Sequence, residues 1–240
     1  MGGHPVARLD GPGGTQVPAG VIAAVARHYE TANANAHGLF AASVETDAVI
    51  AGAREAMAAL LGAAGPSTIS FGQNMTTLNF SLAHAVARTV RPGDEVVVTD
   101  LDHDANVAPW GVLAERGAVL RHVPVWPDAT LDMEAFRALV GERTRLVAVG
   151  YASNAVGTVN DLAAVRAWTR EVGALLVVDA VHWVPHGVVD VAELDPDFLL
   201  CSAYKFFGPH VGVLYSRPGA LDALATDKVR PQLDRAPERV

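Results

Sequence analysis

Ala174-Leu-Leu-Val-Val-Asp179 is the stretch from which the rest of the chain can be read. A strand with one wet face alternates apolar and polar residues, whereas a strand covered on both faces does not. This run has no polar alternation and stops abruptly at a carboxylate, so it predicts a buried strand with Asp179 at its carboxyl end. Similar short runs recur outward in both directions: Thr68–Gly72, Glu95–Thr99, Val119–Val125, Arg145–Tyr151, Phe198–Ser202 and Gly212–Tyr215. Between and before them, apolar residues fall at helical spacing over Val21–Tyr29, Asp47–Leu61, Asn74–Val90, Asn106–Arg116, Met133–Val140 and Asp161–Val172. Strands alternating with helices indicate an α/β fold with a mostly parallel sheet sandwiched by helices. In such sheets ligands bind outside the carboxyl ends of the strands.

The bulk numbers set limits. With 240 residues, half of them hydrophobic, the chain can form one large domain, or a domain with a fragment of a second. A net charge of −8 without a basic cluster argues against nucleic acid and an anionic membrane surface as partners. The apolar runs are too short to span a bilayer, and the N-terminus does not read as a signal peptide. The single cysteine, Cys201, excludes an internal disulfide framework. The expected compartment is the cytoplasm.

Five candidate positions fall at predicted strand ends or just beyond them. Lys205 is one of only two lysines against sixteen arginines, and it sits in the apolar run Phe198–Tyr215. A desolvated lysine becomes a nucleophilic amine able to form a Schiff base, which arginine cannot do; a snorkelling lysine is the plain alternative. Asp179 could cap the following loop or hold a pyridinium nitrogen protonated. Thr76 and Thr77 open the helix after Thr68–Gly72, as an anion-binding helix start or an ordinary hydroxyl cap. His103, in Asp100-Leu-Asp-His-Asp-Ala-Asn106, could stack on a flat cofactor. Asp102, His103 and Asp104 are too close in sequence to converge on one ion, and Pro185 argues against a helical metal pair from His182 and His186, so no metal is expected. Asn154 follows another strand and offers an amide. An amine, a pyridinium partner, a phosphate cradle and a ring stack are together what pyridoxal phosphate requires.

Beyond these residues, Leu9-Asp-Gly-Pro-Gly-Gly14, Asn33-Ala-Asn-Ala-His37, Asn74-Met-Thr-Thr77, Asp100–Trp110, Ser153-Asn-Ala-Val-Gly-Thr158 and the Lys205 segment occur in an order that resembles the class V aminotransferases. The similarity is to their cysteine desulfurase and selenocysteine lyase branch, fold-type I enzymes dependent on pyridoxal phosphate. The resemblance implies a large domain with a seven-stranded sheet. It implies that Lys205 carries the cofactor as a Schiff base and shuttles a substrate proton, that Asp179 pairs with the pyridine nitrogen, and that His103 stacks on the ring. By the same resemblance Thr76, Thr77 and Ser202 hold the phosphate, and Asn154 lies near the phenolic oxygen. By the same resemblance His182 and Tyr204 also bind the cofactor, standing where many relatives carry a glutamine that contacts that oxygen and a histidine near the phosphate.

Two departures accompany the resemblance. Cys201 lies in a predicted buried strand, and buried cysteines are usually inert, whereas the family's desulfurases use a nucleophilic cysteine on a later loop. The family's carboxy-terminal small domain is also expected to be missing. The expected organisation is therefore 1–40 as a lead-in segment, 41–227 as the cofactor-binding large domain, and 228–240 as the start of a truncated C-terminal region. The expected function is C–S lyase or desulfurase-type chemistry on a small amino acid, in a homodimer. A cofactor-binding but catalytically idle or regulatory domain is the second reading. A nucleotide-binding domain is disfavoured because neither GxGxxG nor GxxxxGK[ST] occurs.

Overall fold

The structure is a computed structural model describing residue 3, residues 6–7 and residues 9–239. Five N-terminal residues over which no signal peptide is read (Met1, Gly2, His4, Pro5, Arg8) lie outside the described residues, as does Val240. The seven strands are β1 (Ile69–Gly72), β2 (Glu95–Thr99), β3 (Val119–Val123), β4 (Thr144–Gly150), β5 (Leu175–Asp179), β6 (Phe198–Ser202) and β7 (Gly212–Ser216). They form one sheet in the order β1-β7-β6-β5-β4-β2-β3. β3, β2, β4, β5 and β6 run parallel, and β7 is antiparallel to both its neighbours. The mostly parallel sheet inferred from the apolar runs is thus present, with the seven strands that the resemblance implies.

The central strands are buried on both faces, and the two faces belong to different cores. Val97, Val147, Val149, Leu176, Val178 and Leu199 point to one side, against Ala58, Phe136, Leu162, Val165 and Val191. Those residues come from helices α2 (Ala41–Leu60), α5 (Met133–Leu139), α6 (Leu162–Val172) and α7 (Val191–Leu194). Val96, Val98, Leu146, Ala148, Val177 and Leu200 point to the other. There they meet α3 (Met75–Ala87), Trp110, and α4 (Gly111–Ala114). Removing a fully buried Leu or Val side chain from water contributes roughly 1.5–3 kcal/mol, so a polar substitution on either face of β5 would forfeit a core contact. α1 (Ala19–Thr31) has no buried residue.

Local chemistry sets the element ends. Asp132 and Asp161 cap α5 and α6, accepting from the Ala135 and Ala164 N–H groups at 2.9 and 3.0 Å. Gly173 closes α6 in the left-handed conformation, with φ 71°. Some elements differ from the sequence-based expectation. The helix expected over Asn106–Arg116 is two 3-10 turns, Asp104–Asn106 and Ala108–Trp110, followed by the four-residue α4. Pro109 lacks an N–H and disfavours helical backbone at the preceding residue, which breaks a continuous helix here. β3 stops at Val123 because Pro124 cannot donate to the ladder. α7, a single turn capped by Asp190, carries too short a periodic signal to stand out. No helix of the described residues is long and apolar enough to cross a membrane.

This topology determines where a ligand can sit. From β2 the chain moves outward to β3, then crosses back to β4 on the other side of β2 and continues to β5 and β6. The direction reverses between β2 and β4, and a crevice opens at the carboxyl ends of the strands around that point. Residues 228–239 fold back onto the body at β1 and α2. The Ser70 hydroxyl donates to the Pro237 carbonyl at 2.8 Å, and Arg54 pairs with Glu238 at 3.0 Å.

Candidate active site

A cavity at the carboxyl edge of the sheet is lined by Pro12, Thr76, Asp102, His103, Asn154, Asp179, His182, Ser202, Tyr204 and Lys205, among others. They arrive from several strand ends, the turns after them and one helix start, so the sheet brings together residues far apart in sequence. Of the residues that the resemblance assigns to the cofactor, only Thr77 is not among those lining it.

Asp179 ends β5. Its Oδ1 accepts the Val181 N–H at 2.9 Å, and among the described residues its other oxygen takes no hydrogen bond. Burial pushes the Asp179 carboxyl up to about 6, partly opposed by the Val181 N–H and by the nearby His103 and Lys205. A buried carboxyl with an open acceptor would gain most from a cationic N–H donor.

Lys205 sits on the 3-10 turn Ala203–Lys205 that follows β6. Burial holds its ammonium below the usual lysine range, while Asp10 and Asp179 pull in the opposite direction. Its Nζ donates to the Pro12 carbonyl and lies 4.8 Å from the centre of the Tyr204 ring. Tyr204 is itself stacked on His210, with centroids 4.3 Å apart and planes 12° apart. The Gly11–Gly13 turn is tied down beside this group. The Thr15 N–H and hydroxyl donate to the Tyr204 carbonyl at 2.9 and 3.1 Å, and the Phe207 N–H donates to Thr15 Oγ1 at 2.6 Å.

The start of α3 distinguishes the two threonines. Asn74 Oδ1 accepts the Thr77 N–H at 2.8 Å, and Thr77 Oγ1 accepts the Asn74 N–H at 3.3 Å, a capping box. Thr77 is therefore committed to the helix. Ser202 Oγ accepts the Met75 N–H at 2.9 Å, which leaves the Ser202 hydroxyl proton available. Thr76 lines the cavity, and its N–H is the first-turn donor without a partner among the described residues. This approach of helix to strand requires Gly212, where a Cβ would lie 2.4 Å from the Asn74 carbonyl carbon.

His103 Nδ1 accepts the Ala105 N–H at 3.0 Å, which places the neutral ring's proton on Nε2. Its neighbour Asp102 is a site residue that sequence reasoning set aside. Asp102 Oδ1 accepts the Gly150 N–H at 2.7 Å across the crevice, and Oδ2 accepts from Asn106 Nδ2 at 3.2 Å. Gly150 is the register partner of Asp179, so the two carboxyls flank one rung of the ladder. Burial and the Asp179 charge push Asp102 up to about 7. Gly150 was the available signal: a Cβ there would lie 2.4 Å from Asp102 Oδ1.

Cys201, in β6 and fully buried, has its thiol pushed far up by burial and by Asp179. It is not a nucleophile in this fold, as expected.

The donor set fits pyridoxal phosphate. It offers one partly desolvated amine, one carboxylate with an open oxygen for a ring N–H, an imidazole at the cavity edge, and unspent N–H and hydroxyl donors at a helix start for an anion.

Comparison with known proteins agrees with this geometry. A family model described as aminotransferase class-V matches residues 7–230. A cysteine desulfurase of Pectobacterium carotovorum is 36% identical over 228 residues, covering 93% of this chain and 56% of that protein. One from Dickeya dadantii is 37% identical over 228 residues, covering 93% and 55%. The chain thus spans about half the length of the curated relatives it matches. Among solved structures, the cysteine desulfurase CsdA from Escherichia coli superposes with a TM-score of 0.85 at 28% identity, covering 97% of this chain and 62% of that one. The cysteine desulfurase of Thermococcus onnurineus NA1 gives 0.87 at 26%, covering 96% and 61%.

Proposed function

Because the chain belongs to the class-V aminotransferase family, we propose that its cavity binds pyridoxal phosphate and acts on the amino group of a small amino acid, with C–S lyase or desulfurase-type chemistry. The observation that carries this reading is the shared cavity of a desolvated Lys205 amine and a buried Asp179 carboxylate with an oxygen to spare. When bound, the cofactor supplies an electron sink for the pair of electrons released at a substrate carbon. Asp179 would hold the ring N–H. His103 would cover the ring, and Asn154 would offer its amide to the phenolic oxygen. The Thr76 N–H and hydroxyl and the Ser202 hydroxyl would donate to the phosphate, at the positive end of the α3 dipole.

Lys205 does two things in this reading. Desolvation favours its neutral, nucleophilic form for attachment, and the same amine, once released, accepts and returns a proton at the substrate α-carbon. Tyr204 and the Pro12 carbonyl hold the side chain over the cavity meanwhile. Residues 41–227 form the cofactor-binding body in this proposal, with 1–40 leading into it and 228–240 leading out. A cytoplasmic setting and homodimer assembly belong to the same reading.

The test is a visible titration of the purified chain with pyridoxal phosphate, followed by addition of L-cysteine and assay for alanine, sulfide and ketoacid. A new band at longer wavelength than that of the free cofactor, as a lysine-linked cofactor gives, and any of these products support an active site. A band without product supports the idle or regulatory reading, and no band overturns both.

A further inference from the structure

One motif is left over from the site just described. His182 and His186, at a spacing that suggests a helical metal pair, do meet: their ring centroids are 4.9 Å apart, tilted by 59°. Pro185 does not prevent this, because residues 180–187 form successive turns anchored on Asp179. The Val181 N–H donates to Asp179 Oδ1, the Val184 N–H to the Ala180 carbonyl at 3.0 Å, and the His186 N–H to the Trp183 carbonyl at 2.8 Å. The ring of Trp183, stacked on Tyr151 at 4.8 Å, pins the middle of the segment. The described residues contain no group of three or more His, Cys, Asp or Glu able to hold a metal ion. What the segment does is place one imidazole in the cavity with Lys205 and the next in solvent, since His182 lines the cavity and His186 is exposed.

We propose that His182 is a proton-transfer residue of this site, exchanging a proton with the Lys205 amine, and that His186 passes that proton to bulk water. In the outward direction an N–H bond of the Lys205 ammonium breaks as an N–H bond forms on one ring nitrogen of His182. The imidazolium then loses the proton from its other nitrogen, through an intervening water, to His186 and on to solvent. No electron acceptor is needed, and Lys205 is left with its lone pair. The proposal rests on the reading of Lys205 as the reactive amine.

The neighbourhood is suited to such a relay. Sharing the cavity with His182 are Lys205 on the turn after β6, Asp179 at the end of β5, and Asp102 and His103 after β2, while Asp10 on the N-terminal turn acts on Lys205. Burial, His186 and Lys205 each disfavour the charged form of His182, so a proton reaching it is readily passed on. A glutamine at this position could hydrogen-bond but not carry the proton.

The test compares wild type, His182→Gln and His186→Gln, each loaded with pyridoxal phosphate, by the wash-out of α-deuterium from α-deuterated L-alanine in water, followed by NMR. His182→Gln should bind the cofactor normally in a visible titration yet exchange at least about tenfold more slowly, with added imidazole restoring much of the rate. His186→Gln should be slow in dilute buffer and normal in concentrated buffer. In the cofactor-free chain, the ring-proton titration of His182 should move to higher pH in His186→Gln, because a like charge has been removed. Exchange within about twofold of wild type in His182→Gln, or a loss that imidazole does not restore, would overturn the relay. An unmoved His182 titration would do the same. Absence of a visible cofactor band in wild type would instead sink the reading of Lys205 and leave the imidazole titration to decide the coupling.

Discussion

Gly212→Ala tests whether the site is built by the close docking of α3 on β7. The added Cβ would fall 2.4 Å from the carbonyl carbon of Asn74, 2.5 Å from its oxygen and 2.8 Å from its Cα. These are backbone atoms, so no side-chain rotation relieves the overlap, and Asn74 must retreat by about 1 Å to reach ordinary contact. Overpacking of this kind costs about 1–3 kcal/mol. The retreat also pulls the Met75 N–H away from Ser202 Oγ, now at 2.9 Å, for about 1 kcal/mol more. A total near 3 kcal/mol lowers the melting midpoint of a chain this size by roughly 6–12 °C. Thr76 moves with the helix start, so affinity for pyridoxal phosphate should fall roughly tenfold or more, the equivalent of about 1.4 kcal/mol. Urea unfolding followed by circular dichroism gives the first number, and a visible titration gives the second. Gly52→Ala is the control: it lies in α2 with nothing within 4 Å of the added Cβ, and it should gain about 0.5–1 kcal/mol. If Gly212→Ala unfolds within about 0.5 kcal/mol of wild type and binds the cofactor equally well, the docking argument is wrong.

Asp102→Asn should change how stability depends on pH. Asp102 titrates near 7 in the folded chain and about 4 when unfolded. Between those values the folded state keeps a proton that the unfolded state has lost, so stability falls as pH rises, by at most about 1.4 kcal/mol per unit. The asparagine variant lacks this loss and should gain on wild type steadily from pH 4 to 7; a constant offset in urea unfolding would contradict the assignment. Thr76→Val and Thr77→Val should separate by assay. Thr77→Val loses half of the capping box and about 0.5–1 kcal/mol of stability, with cofactor affinity nearly unchanged. Thr76→Val keeps its stability and loses roughly tenfold or more in cofactor affinity.

The parts of the fold legible in the sequence are those in which one residue's environment follows from its immediate neighbours. β4, β5 and β6 read directly because strands buried on both faces carry unbroken apolar runs. Lys205 stood out because the chain otherwise uses arginine for positive charge, and Asp179 because it ends such a run. Asp102 did not stand out. Within Asp100-Leu-Asp-His-Asp it resembles a solvated acidic turn, and its burial depends on Gly150, which arrives 48 residues later. Thr77 was grouped with Thr76 because sequence cannot say which of two adjacent hydroxyls closes the cap. The broken helix over 106–116 was misread because its apolar spacing survives across Pro109 although its hydrogen-bond ladder does not.

The presence of only two lysines makes the most direct measurement unusually clean. The chain is equilibrated with pyridoxal phosphate, reduced with borohydride, digested and mapped by mass spectrometry. Lys228 sits outside the cavity, its Nζ 3.7 Å from Asp234, and serves as the internal control. The account predicts a reduced adduct on Lys205, absent from Lys205→Ala. An adduct on Lys228 alone, or none on either lysine, would contradict it.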